Sequence, residues 1–323
     1  NFVSINAEQA STVFAEFTAD AVSVVGWHSL FMALTIYIAA RGVGKGLETT
    51  VRYLMPALLV LLLVLVSYSA LATGHFVEGL KFLFSPDFDS FNVDSLLVAM
   101  GQAFFTLSLG MGAIMAYGAY MPKDASIIGT ATTIALLDTS VALLSGLVIF
   151  PLVFANGLET GQGPGLMFVT LPIAFGQMPG GHIFGAIFFT LVSFAAITSS
   201  ISLMEPAVAW VVEKLDSSRA KGAMLVGVIA WILGLGSAFS FNIGADITLL
   251  AGMTFFDTMD YLSNNVMLPL GGMLIAVFTG WVLKDQLIEE ELAGDKVWLN
   301  LWRLITRFVA PTGVMVVFVM TFL

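Results

Sequence analysis

The chain of 323 residues is 58% apolar and only 11% charged, with a net charge of −10. A soluble domain carries about 25% charged residues, so this composition excludes an ordinary aqueous globule. It also excludes a nucleic-acid binder, which needs a basic face to neutralise phosphates, and the lack of cysteine excludes disulfides and thiolate metal sites.

Residues 1–21 are polar and acidic, with no initiator Met, no basic n-region and no apolar signal core. Apolar runs then recur at 22–40, 54–73, 96–120, 126–155, 185–212, 219–240, 252–283 and 299–322. A bilayer crossing needs roughly 20 apolar residues. The pattern predicts an all-α polytopic membrane protein with about eight spans, organised over 1–323 as a single transmembrane domain.

Basic residues sort the connecting loops into two sets. Arg41, Lys45, Arg52, Lys123, Lys214, Arg219, Lys221, Lys284 and Lys296 lie in or beside loops 41–53, 121–125, 213–221 and 284–298. Arg303 and Arg307 enter the last span from that same side, and only Lys81 falls in the opposite set, 74–95, 156–184 and 241–251. The positive-inside rule makes the first set cytoplasmic. Residue 1 is then extracellular or periplasmic, which for a polar terminus requires an odd number of preceding helices. The expectation is an N-terminally incomplete chain in a plasma (bacterial inner) membrane. The run Glu289-Glu290-Glu291 reads as a solvated surface.

Ionisable groups at membrane depth are costly and mark functional sites by default. Asp138 and Glu205 are two such acids. Either could also be a buried acid kept neutral or hydrogen-bonded to a neighbouring helix. Ala195, Thr198, Ser199 and Ser202 stand at i, i+3, i+4 and i+7, one helical stripe. It continues through Glu205, beside Pro206, to Glu213. Small and hydroxyl residues in a stripe serve close helix packing as readily as an ion path, and spacing alone leaves both open. In GQAFFTLSLGMGA, residues 101–113, the polar Gln102, Thr106 and Ser108 are followed by Gly110 and Gly112. Glycine lowers helix propensity by about 1 kcal/mol, so this span either breaks at mid-membrane or presents an unbroken glycine packing surface. His28, His75 and His182 have no metal-ligand spacing and read as interfacial.

Four segments in order carry a resemblance: GQAFFTLSLGMGAIMAYGAY (101–120), GLMFVTLPIAFGQMPGG (165–181), AAITSSISLMEP (195–206) and FFDTMDYL (255–262). They are similar to the unwound sixth helix, the extracellular lid, the eighth helix and the tenth helix of the neurotransmitter:sodium symporter family, specifically its bacterial amino-acid transporters. The resemblance runs from the family's fourth helix through its eleventh. It implies a partial inverted-repeat sodium symporter fold lacking the family's first three helices, the odd number that the charges require.

What the resemblance implies for the site is specific. Phe105 would be the aromatic lid over a substrate, and Thr106 a ligand of a first sodium that also borders the substrate. Ser108, Met111, Ser199 and Leu203 would line the same pocket. Asp138 stands where the family places an amide ligand of the first sodium, so that it adds a fixed negative charge. Ala195, through its carbonyl, and Thr198 and Ser199, through their hydroxyls, would hold a second sodium. Asp260 would be the acid of the outer gate, and Glu213 and Tyr120 parts of the inner one. Gly46, separated from Pro56 by nine residues, would let a helix end unwind. The implied activity is sodium-coupled symport of a neutral, apolar amino acid by alternating access, with no chloride requirement. Lipid is the surrounding partner, no nucleic acid is involved, and no oligomeric state is implied. Two rival readings remain: a membrane-embedded enzyme using Asp138 or Glu205 as acid–base groups, and a ligand-binding relative that does not transport.

Overall fold

A computed structural model describes residues 7–42, 49–86, 88–89, 91–122, 125–158, 165–176, 179–292 and 296–320. In chain order the helices are α1 Ala7–Ala19, α2 Ala21–Ala40, α3 Thr49–Ala72, α4 Phe76–Phe84, α5 Val93–Thr106, α6 Ala113–Ala119 and α7 Ile127–Ala155. They continue as α8 Leu171–Gly176, α9 Gly181–Lys214 and α10 Arg219–Phe239, α11 Phe255–Val282, α12 Asp285–Leu292 and α13 Leu299–Met320. Among the described residues seven of these, α2, α3, α7, α9, α10, α11 and α13, are long and apolar enough to cross a membrane. The eighth expected span, 96–120, is divided between α5 and α6. Ser108, Gly110 and Gly112, at φ 53°, 81° and 82°, turn the chain through the left-handed region between them. Two stretches expected as loops hold short helices, α4 and α8, and a third holds α12.

The described residues fall into two compact units. One draws on 1–87 and 139–248, the other on 88–138 and 249–323.

In the first unit a core of Leu58, Leu62 and Leu65 from α3 meets Val148 and Leu152 from α7, Phe175 from α8 and Phe188 from α9. Proline shapes the α3–α7 contact. Pro151 cannot donate to the carbonyl four residues back, and that carbonyl, on Leu147, instead accepts the fully buried Ser69 hydroxyl at 2.9 Å. The Pro151 ring also seats α4, because a Cβ on Gly79 would lie 2.5 Å from its Cγ. Ser69→Ala is therefore expected to leave a buried acceptor empty and cost about 1–2 kcal/mol, read as a lower melting temperature in detergent. An unchanged midpoint would mean that Leu147 finds another donor.

The resemblance made residues 165–181 a lid; its described part is firmly held within this unit. Leu171 through Phe175 are buried, and a Cβ on Gly181 would overlap the Phe175 carbonyl at 1.7 Å. The Tyr68 hydroxyl donates to Pro179 at 2.9 Å. Helix α1 covers the segment through a stacked Phe14–Phe168 pair. Asp20 caps the start of α2 by accepting the Val22 amide, and the Ser23 hydroxyl holds its carboxyl below the ordinary value.

Helices α2, α9 and α10 pack together. His28, expected at a membrane edge, lies about two turns inside α2, within 3.1 Å of the Trp231 carbonyl and against Gly234. The Trp231 indole donates to Ser29 at 3.0 Å, and the Thr35 and Ser200 hydroxyls meet at 3.0 Å.

In the second unit α11 packs against α13. Pro172 in the first unit and Pro269 and Pro311 here each follow a π-helical turn, at Leu166–Thr170, Leu262–Met267 and Ile305–Val309. The ring of a proline clashes with the carbonyl four residues earlier, and the wider turn moves that carbonyl aside. The residue before each proline donates five residues back instead, Leu171 to Leu166, Leu268 to Ser263 and Ala310 to Ile305. The Arg307 carbonyl, which Pro311 cannot satisfy, accepts the Trp281 indole at 3.2 Å. The Arg307 guanidinium donates to the Gly280 carbonyl at 2.5 Å and to Asp285 at 2.9 Å. Glu289 is not merely solvated, since Arg303 donates to it at 2.8 Å and fastens α12 to α13.

Candidate functional site

In the second unit α5 stops at Thr106 because the next six residues leave helical geometry. The Ser108 amide turns back to the Phe105 carbonyl and the Leu109 amide to Phe104, after which the left-handed residues redirect the chain. A non-glycine residue at positive φ is uncommon and accumulates where function holds strain, and Ser108 is one. The Thr106 hydroxyl donates to both carboxylate oxygens of Asp138, at 2.9 and 3.1 Å. Asp138 comes from the middle of α7, so two residues 32 apart in sequence meet at the end of a broken helix. Three side-chain oxygens gather there, beside the last carbonyls of α5. Those carbonyls carry the negative end of the helix dipole, and hard oxygen donors of this kind suit a hard cation.

Phe105 is exposed, Ser108 and Met111 lie on the interrupted turn, and Tyr120 follows α6 at its C-terminal end. Asp260 lies two residues before the π turn of α11 and accepts a hydrogen bond from Asn264 at 2.8 Å.

In the first unit the α9 stripe separates into two parts. Thr198 is nearly buried, and its hydroxyl lies 2.9 Å from the Ala195 carbonyl and 3.1 Å from that of Phe194. The Ser202 hydroxyl donates to the Thr198 carbonyl at 2.8 Å. Ser199 and Leu203 are exposed along the helix. The Thr198 hydroxyl thus sits beside the Ala195 carbonyl on α9, with Ser199 the next residue along the helix.

Glu205 resolves differently. It is fully buried, and Arg219 grips it with both terminal nitrogens, Nη1 reaching Oε1 at 3.0 Å and Nη2 reaching Oε2. The Arg219 Nε donates to the Ala39 carbonyl at 3.0 Å, so one guanidinium ties α9, α10 and α2 together. Of the two sequence readings, bonding to a neighbouring helix is the one the structure has, and the stripe ends at an ion pair. Sequence reasoning had Arg219 only as a loop cation. The available signal was the short turn after α9, which returns the first residue of α10 alongside Glu205. Glu213 is exposed at the end of α9. Pro56 lies inside α3, while Gly46 falls outside the described residues.

A helical multi-pass membrane protein whose interrupted span ends on a cluster of hard oxygens has the architecture of an ion-coupled transporter. A family model described as "Sodium:neurotransmitter symporter family" matches residues 17–323. The uncharacterized sodium-dependent transporter YhdH of Bacillus subtilis is 36% identical over 314 residues, which are 96% of this chain and 69% of that protein. An uncharacterized sodium-dependent transporter of Haemophilus influenzae is 33% identical over 92% of this chain and 65% of its own length. A crystal structure of MhsT in complex with L-phenylalanine matches with a TM-score of 0.89 and 44% identity, over 99% of this chain and 73% of that one. The chain belongs to the sodium:neurotransmitter symporter family.

Proposed function

We propose that this chain serves a sodium-coupled symporter for a neutral, apolar amino acid, working by alternating access without chloride. The observation that carries the proposal is the Thr106–Asp138 contact at the broken helix. It supplies oxygen ligands and a fixed negative charge where a cation would otherwise meet only hydrocarbon. Because Asp138 brings that charge itself, no external anion is needed. Ala195, Thr198 and Ser199 hold a second sodium. Phe105, Thr106, Ser108 and Met111 border the substrate, and none offers an ionic partner to a charged side chain, which favours an apolar one. The MhsT complex with L-phenylalanine, at 44% identity, supports the same substrate class.

Asp260 guards the outer access, Glu213 and Tyr120 the inner one, and Gly46 with Pro56 allows the start of α3 to unwind. Coupling requires sodium to bind the outward and inward states unequally. Loss of the second sodium, held mostly by one rigid helix, is the step that releases the inner side.

The full-length protein reconstituted in vesicles is expected to accumulate labelled phenylalanine under an inward sodium gradient at least about tenfold above the gradient-free level, a difference of about 1.4 kcal/mol. Replacing chloride by gluconate on both faces leaves this uptake unchanged. A chloride requirement would remove Asp138 as the charge source. Sodium-shifted phenylalanine binding with no uptake would favour the non-transporting relative.

A further inference from the structure

The interrupted turn does not hang free within its unit. Its Gly110 lies against the backbone of α11: a Cβ added there would sit 2.4 Å from the Leu268 carbonyl oxygen and 2.9 Å from the Gly272 amide nitrogen. Seen from α11, a Cβ on Gly271 would lie 2.4 Å from the Gly110 carbonyl oxygen and 3.3 Å from its Cα. A Cβ on Gly272 would meet a side chain instead, Phe104 Cε1 at 2.4 Å. Gly110 also needs its freedom of φ, at 81°, but Gly271 and Gly272 lie in regular helix. Gly271 is glycine because another backbone occupies the space of a side chain, and Gly272 because the Phe104 ring occupies it.

Where this contact falls along α11 matters. Directly before it comes the π turn Leu262–Met267 that Pro269 imposes, and two residues before that turn is Asp260. On the other side of the contact, Gly110 is four residues beyond Thr106. A π turn can exchange its five-residue hydrogen bonds for four-residue ones, so it is a place where a helix changes register. Close-packed backbones leave no slack to absorb such a change.

We infer that Gly271 and Gly272 are positioning residues. They key the interrupted turn into α11, fixing the Thr106–Asp138 oxygens and linking them mechanically to the gate residue Asp260. The inference rests on the proposed function and adds to it the element through which the outer gate senses sodium.

The test measures sodium-dependent phenylalanine binding on purified full-length protein, titrating sodium. Gly271→Ala is expected to weaken apparent sodium affinity about tenfold in the folded fraction, because the new methyl displaces the Gly110 backbone. Gly272→Ala is expected to do the same. Adding Phe104→Ala restores the second variant, whose clash is with that ring, and leaves the first impaired, whose clash is with backbone. Phe104→Ala alone keeps wild-type sodium affinity. A purely structural role would lower yield and melting temperature with sodium affinity unchanged, and that result overturns the inference. So does rescue of both glycine variants by Phe104→Ala. If Gly271→Ala does not fold, the Gly272 pair still decides between these outcomes. A wild-type protein without any sodium response would instead overturn the functional reading, and this inference with it.

Discussion

Asp138→Ala is expected to lower sodium-dependent uptake by about 100-fold or more, the largest loss from any single side chain in the chain. Two effects add. The Thr106 hydroxyl, which donates to both Asp138 oxygens, loses its acceptor. A sodium ion at the end of α5 also loses a fixed countercharge in a medium of low dielectric. Hydrogen bonds and ligation involving a charged group are worth about 1.5–3 kcal/mol, and about 2.7 kcal/mol corresponds to 100-fold. Asp138→Asn separates the two effects, because it keeps an oxygen and the approximate shape while removing the charge. It is expected to bind sodium more weakly than wild type and to regain uptake as sodium is raised, which alanine does not. The measurement is uptake against external sodium for the three proteins side by side. Wild-type sodium dependence in the alanine variant would detach Asp138 from coupling altogether.

How far the sequence leads depends on whether the relevant contact is local. The spans were legible because hydrocarbon imposes length and apolarity on each segment separately, and the loop charges set their direction. The break in 96–120 was half legible: Gly110 and Gly112 allowed it, but the same residues could have packed an unbroken helix. The structure uses them for both purposes, as left-handed Gly110 is also the point of contact with α11. Thr106 and Asp138 are far apart in sequence, and only the family resemblance put them at one ion. The short helices α4, α8 and α12 escaped notice because each takes its place from a neighbour, such as the Pro151 ring under Gly79 or Arg303 on Glu289. The prolines were visible but their effects were not. Pro269 and Pro311 follow π turns, whereas Pro56, Pro151 and Pro206 sit inside α-helices. At Pro151 the difference has a cause outside the helix, since the freed carbonyl finds Ser69.

The second large effect concerns stability rather than coupling. Arg219→Ala is expected to destabilise the protein by about 3–5 kcal/mol, the range for a buried ion pair that loses one member. Glu205 has no exposed surface, whereas Arg219 keeps 24% of its side chain exposed. Truncating the arginine therefore takes a two-pronged cationic partner from a fully buried carboxylate, and it also removes the donor to the Ala39 carbonyl. Removing both charges should be far milder. In Glu205→Met/Arg219→Leu no buried charge is left unpaired, and replacing such pairs with apolar residues of similar volume is often neutral or stabilising. The Ala39 carbonyl still loses its donor in that double variant, a residual cost of about 1 kcal/mol. Melting of the four proteins in detergent gives the coupling energy directly. A double variant as unstable as Arg219→Ala would assign the loss to packing of the long arginine stem, which lies against Gly42. A single variant as stable as wild type would mean that Glu205 finds a new partner when Arg219 is gone, and the three helices would then be held together by their apolar contacts alone.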